Sequence, residues 1–156
     1  MAASRKRALL DTGKPAPEFR LQKIPGGETS LAELLRDGPV LLTFFKVTCP
    51  VCQMTLPFLE RLHSAGTTRV FGVSQNGPQD TSQFARHFGL TFPMLLDLEE
   101  NGFTTSNDYG ISSVPTMYWI EPDGKISGVI EGWVKADMER LGAIRADDNV
   151  PAWKAG

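Results

Sequence analysis

Apolar and polar positions alternate from Phe19 to Ile24, the period of a strand with one buried face. Pro25-Gly26-Gly27 supplies a turn. Ser30-Leu31-Ala32-Glu33 then has the spacing of a capping box, which opens a short helix over Leu31 to Arg36 before Gly38-Pro39 ends it. Val40 to Phe45 is a nearly continuous apolar, β-prone run, as expected of a strand buried on both faces. From Pro50 to His63 the residues Val51, Met54, Leu59 and Leu62 recur at helical spacing, and Pro57 interrupts the backbone ladder, so a kinked helix is expected.

The same alternation continues to the end of the chain. Arg69 to Ser74 reads as a strand, Asn76-Gly77-Pro78 as a turn, and Thr81 to Phe88 as an amphipathic helix ended by Gly89. Phe92 to Leu96 is a short apolar segment, and Glu99 to Tyr109 a helix weakened by Gly102 and ended by Gly110. Thr116 to Ile120 and Lys125 to Glu131 form a hairpin about Asp123-Gly124, and Lys135 to Ile144 a closing helix with Met138, Leu141 and Ile144 on one side. Strand, helix, strand, helix, strand, then hairpin and helix predicts an α/β fold, a central mixed β-sheet flanked by helices on both faces. Pro15-Ala16-Pro17 closes a polar stretch, so the expected division is a flexible N-terminal arm over 1–14, one domain over 15–146 and a tail over 147–156.

With 156 residues and 41% hydrophobic content the chain can bury a core without disulfide or metal staples. A formal net charge of -2 offers no electrostatic reason to bind nucleic acid or an anionic membrane. Arg5-Lys6-Arg7 is too short for a polybasic membrane signal, and Ala8-Leu9-Leu10 is cut off by Asp11 before it could serve as the apolar part of an export signal. No run is long and apolar enough to span a bilayer, since Thr43 and Lys46 interrupt the most hydrophobic segment. A cytoplasmic monomer is the expectation, or a periplasmic or extracytoplasmic one if a signal or anchor was removed.

The only two cysteines, Cys49 and Cys52, fall where the apolar strand meets the helix. The first N–H groups of a helix point outward and carry the positive end of its dipole, which stabilises a thiolate at that position. Pro50 suits the first helical position because it has no N–H to leave unpaired. Cys52 lies almost one turn on, within disulfide reach and better placed for burial. Cys49 would then attack a substrate disulfide and Cys52 would resolve the mixed disulfide. A zinc site or a pair of inert thiols are the competing readings, and the remaining imidazoles, His63 and His87, stand at spacings unlike a zinc finger or ribbon.

Around this motif the segment from Pro15 to about Val134 resembles the thioredoxin superfamily, within it the TlpA/ResA-like thiol-disulfide oxidoreductases and the redoxin (AhpC/TSA-like) domains. The residues that carry the resemblance are Pro15-Ala16-Pro17-Glu18-Phe19, Cys49-Pro50-Val51-Cys52, Pro57, Gly89-Leu90-Thr91-Phe92-Pro93, Tyr109-Gly110-Ile111, Val114-Pro115-Thr116 and Asp123-Gly124-Lys125. The resemblance implies a thioredoxin-like fold in which Phe92 to Tyr109 forms a central strand-helix insertion. It also implies a cis bond before Pro115, with Pro115 packed beside the cysteines and the Val114 backbone free to pair with a substrate strand. Catalytic roles are thereby implied for Cys49, Cys52 and Pro115, and substrate contacts for Thr48, Pro50, Val51 and Val114. The substrates would be protein thiols and disulfides, served by an unidentified reductant or oxidant. No cofactor or metal is implied beyond the Cys49–Cys52 disulfide.

The chain also departs from the family. Thr43 stands where thioredoxin carries a buried aspartate, Thr55 where ResA-like proteins carry an acid, and Thr48 where a tryptophan is common. Lys46, close to the strand end, either lowers a thiol pKa or snorkels to water. Two other functions stay open: a thioredoxin-dependent peroxidase on the same scaffold, although Lys46 stands where peroxiredoxins place threonine or serine, and a redox-responsive binding domain without catalysis. Pro50-Val51 lacks the histidine of strong oxidants, which favours a reductant or general exchanger.

Overall fold

A computed structural model describes residues 9–143, without the side chains of 141–143. Seven strands form one sheet: β1 (Arg20–Ile24), β2 (Glu28–Ser30), β3 (Val40–Phe45), β4 (Val70–Ser74), β5 (Met94–Leu96), β6 (Thr116–Ile120) and β7 (Ile126–Glu131), in the spatial order β2-β1-β5-β4-β3-β6-β7. The helices are α1 (Leu31–Leu35), α2 (Pro50–Ser64), α3 (Pro78–Phe88), α4 (Thr104–Asp108) and α5 (Lys135–Ala143). β3 lies near the centre, parallel to β4 and antiparallel to β6, and all six of its residues are buried.

Because successive side chains of a strand point to opposite faces, β3 serves two cores. Val40, Leu42 and Phe44 pack with Leu31, Leu34 and Leu35 of α1 and with Tyr109 and Ile111. Leu41 and Phe45 pack with Cys52, Leu56, Leu59 and Leu62 of α2, Phe84 of α3 and Met138 of α5. Helices thus cover both faces of a mixed sheet, and β5 inserts between β1 and β4. Among the described residues no helix is long and apolar enough to cross a membrane.

Several elements differ from the sequence reading. The helix expected over Glu99 to Tyr109 is split into a 3-10 turn, Glu99–Asn101, and α4. Gly102 and Phe103 between them both have positive φ, 70° and 51°, and the buried Asp97 carboxylate accepts the free amides of Thr105 and Ser106. That anchor satisfies the start of α4 from outside the helix. Val51 and Met54, expected on the buried face of α2, are exposed instead; the buried stripe is Cys52, Leu56, Leu59 and Leu62. β2 was not foreseen, since three residues are too few to show a period.

Residues 9–14, expected within a flexible arm, run along the start of β7. The Gly13 amide donates to Ile126 O at 2.7 Å, the Ile126 amide to Lys14 O at 2.9 Å, and the Leu10 amide to the Tyr118 hydroxyl at 3.3 Å. Leu9 and Leu10 rest on the α1-side core, so apolar burial holds this segment down. Arg5-Lys6-Arg7, the expected tail and Ile144 lie outside the described residues.

Candidate active site

β3 ends at Phe45, and four residues later Cys49 caps α2 with extended backbone, φ −85° and ψ 116°. Its sulfur accepts the Cys52 amide at 3.2 Å, the bond a serine or aspartate makes at other helix N-termini. Pro50 occupies the first turn, as expected. Cys49 is half-buried and Cys52 is 0% exposed, and both are free thiols. Burial pushes the Cys52 thiol far above its ordinary value, and its hydrogen bond with Cys49 pushes it further. One cysteine is therefore partly open to solvent and the other is a fully buried thiol.

The Val114–Pro115 peptide bond is cis, and so is Ile24–Pro25, which sequence reading passed over. Pro115 is buried. The turn brings the Val114 carbonyl to the Cys49 thiol, which donates to it at 3.6 Å. Thr48, Pro50 and Val51 are exposed around Cys49, and Val114 is half-buried. All seven residues expected at the site thus lie along two neighbouring segments, 48–52 and 114–115.

Two polar residues that sequence reading left out hold the loop before Cys49. Gln53 Nε2 donates to Val47 O at 3.0 Å, and Asn76 Oδ1 accepts the Val47 amide at 2.9 Å. Asn76 read only as a turn residue; the signal was its side-chain acceptor, free to satisfy a neighbouring loop. Lys46 is exposed. The described residues include three large apolar side chains that are exposed, and two of them, Val51 and Met54, flank Cys49 on α2. Among the described residues no cluster of histidine, cysteine, aspartate and glutamate could hold a metal.

With a strand-to-helix dithiol beside a cis-proline turn established, the comparison with known proteins agrees with the geometry: the family model described as "AhpC/TSA family" matches residues 12–129. The chain belongs to the AhpC/TSA family. It is 32% identical over 136 residues to thiol-disulfide oxidoreductase ResA of Halalkalibacterium halodurans, covering 85% of this chain and 75% of that protein. To ResA of Geobacillus thermodenitrificans it is 28% identical over 140 residues, 86% of this chain and 78% of that protein. The thioredoxin domain of a thiol-disulfide oxidoreductase from Bacteroides vulgatus superposes with a TM-score of 0.73 at 20% identity, over 90% of this chain and 99% of that domain, a likeness of fold. The fold of this AhpC/TSA protein is thioredoxin-like.

Proposed function

We propose that this thiol-disulfide oxidoreductase works by a two-sulfur exchange in which Cys49 attacks and Cys52 resolves. Cys49 sulfur bonds to one sulfur of a substrate disulfide, the substrate S–S bond breaks, and its second sulfur leaves as a thiolate. Cys52 then bonds to Cys49, the mixed disulfide breaks, and the substrate departs with both sulfurs reduced. Two electrons have passed from the Cys49–Cys52 pair, and a partner dithiol restores them. The observation that carries the reading is the asymmetry of the pair: an accessible sulfur at a helix N-cap meeting a backbone donor at 3.2 Å, and a fully buried one three residues on.

The substrates are protein disulfides. Thr48, Pro50 and Val51 form the rim they meet, Met54 extends its apolar part, and the Val114 backbone lies beside the attacking sulfur. Pro115 is a positioning residue that holds Val114 there. The working direction is reduction or general exchange, carried by the dithiol alone without a bound cofactor. Such a direction fits a reducing compartment like the cytoplasm, and fractionation of cells with trapping of the thiol state tests the placement.

Insulin reduction with dithiothreitol tests the activity. The protein accelerates it, Cys49→Ser abolishes the acceleration, and Cys52→Ser accumulates a mixed disulfide at Cys49. No acceleration by the parent protein would leave a binding domain; hydrogen peroxide in place of insulin reports the peroxidase alternative.

A further inference from the structure

Among the described residues, two buried side-chain oxygens make no hydrogen bond to any protein group: Thr43 Oγ1 on β3 and Thr55 Oγ1 on α2. Both residues are 0% exposed. Other buried hydroxyls here find partners, Thr67 with Leu62 O and Thr81 with Ser74. A buried hydroxyl without a partner loses its hydrogen bonds to bulk water and regains nothing, which is why such groups in native proteins mark a bound water or a catalytic task.

These two share one layer of the fold. Thr43 alternates with Leu41 and Phe45 on the face of β3 covered by α2, and its register partners are Met117 and Gly72. Thr55 lies three residues after Cys52, on the same side of the helix one turn away. Both hydroxyls therefore belong to the layer that holds the Cys52 thiol. Each can donate and accept at once.

The ionisable groups packed around that layer are occupied elsewhere. Glu60, two turns along α2, accepts from Ser64, Thr91 and the Phe92 amide, and the His63 ring accepts the Val70 amide. Tyr118 of β6 faces the opposite core, Lys46 is exposed, and α3 turns Asp80, Arg86 and His87 outward. On α5, Lys135 and Glu139 are exposed and pair with one another, while Asp137 pairs with Arg140. Among the described residues, Cys49 is the titratable side chain that hydrogen-bonds the Cys52 thiol.

We infer that Thr43 and Thr55 together hold a buried water beside Cys52, through which the Cys52 proton leaves when its sulfur displaces substrate from Cys49. The resolving step then runs on neutral hydroxyls. Cys52 sulfur bonds to Cys49 and the Cys49–substrate bond breaks. Its electron pair leaves with the substrate sulfur, which takes up one proton from solvent as the Cys52 proton passes out through the water. Thr43 and Thr55 act through the water and are positioning residues. The inference rests on the exchange reading proposed above.

Dithionitrobenzoate separates the two steps, because attack by Cys49 releases one coloured equivalent and attack by Cys52 releases the second. Replacing both threonines by valine, a near match in shape, slows the second release on the order of a hundredfold, the low end of what a positioned proton-transfer group contributes. The first release keeps its rate, and Thr43→Ser with Thr55→Ser restores the second. Parental second-phase rates in the valine protein, equal slowing of both phases, or no rescue by serine overturns the inference. Should the double valine protein fail to fold, a high-resolution crystal structure of the parent decides, since it must contain a water bonded to both hydroxyls. Failure of the parent to release a first equivalent would instead remove the exchange reading itself.

Discussion

At the residue scale, two identical side chains three positions apart acquire different chemistry from how much water reaches each. Burial, and after it the hydrogen bond with Cys49, holds Cys52 protonated far above the ordinary thiol value of 9.0. A thiol must ionise to attack an alkylating agent, so iodoacetamide at about pH 8 should place one adduct on Cys49 and none on Cys52 until the protein is unfolded. Peptide mass analysis reads this directly, and equal labelling of both cysteines in the folded protein would remove the division of roles. The sign for stability runs with it. The unfolded chain loses the Cys52 proton near 9.0 while the folded chain keeps it, so the reduced protein loses stability as pH rises past that value. Much of this was legible in the sequence, because a cysteine ahead of a proline at a strand-to-helix junction can only be the cap, and the residue three on turns inward. The Gln53 and Asn76 bonds to Val47 were not legible, since they depend on where two loops meet.

At the element scale, α2 must hold its N-terminus still while its other end is anchored, and Glu60 supplies the anchor. Burial alone would raise its carboxyl, but hydrogen bonds from Ser64, from the Thr91 hydroxyl and from the Thr91 and Phe92 amides outweigh that and hold it below 4.5. A carboxylate accepting several such bonds contributes more than a neutral pair, so Glu60→Ala should cost about 2–3 kcal/mol at neutral pH in denaturant unfolding. A depressed carboxyl contributes above its unfolded value, and the contribution fades as pH falls through the folded one. The gap between parent and Glu60→Ala should therefore narrow below pH 4.5, and a gap constant across that range would show that packing, not charge, carries the effect. The helix itself was legible from its spacing, but its buried face was not. Val51 and Met54 fit a helical period as well as Cys52 and Leu56 do, and only the direction of β3 decides which stripe meets the sheet. Similarly, Gly102 alone suggested a weak point, whereas the break into two pieces depends on Asp97, a residue before the segment whose carboxylate replaces the missing helical bonds.

At the scale of the whole molecule, the site and the N-terminal segment occupy opposite ends of the central strands. Thr116 pairs with Phe44 next to the cysteines, and Ile120 pairs with Val40 and Ile126 at the far end, where Gly13 and Lys14 bond to β7. Strand content and class were readable from local periods, but pairing order was not. Nothing local in Met94–Leu96 says that it inserts between β1 and β4, and the polar residues 11–14 mask the docking of the two leucines before them. On our proposal the domain therefore includes residues 9–14 and does not start at 15. A chain starting at Lys14's successor loses the partial burial of Leu9 and Leu10, the donor to Tyr118 and the two bonds to Ile126. Compared with a chain starting at Leu9, it should be less stable by on the order of 3 kcal/mol. Because those contacts lie a full strand length from Cys49, the fraction that stays folded should exchange disulfides at an unchanged rate. Equal stability of the two chains would return the boundary to Pro15, and a slower exchange rate in folded protein would mean that the far end of the sheet is coupled to the dithiol.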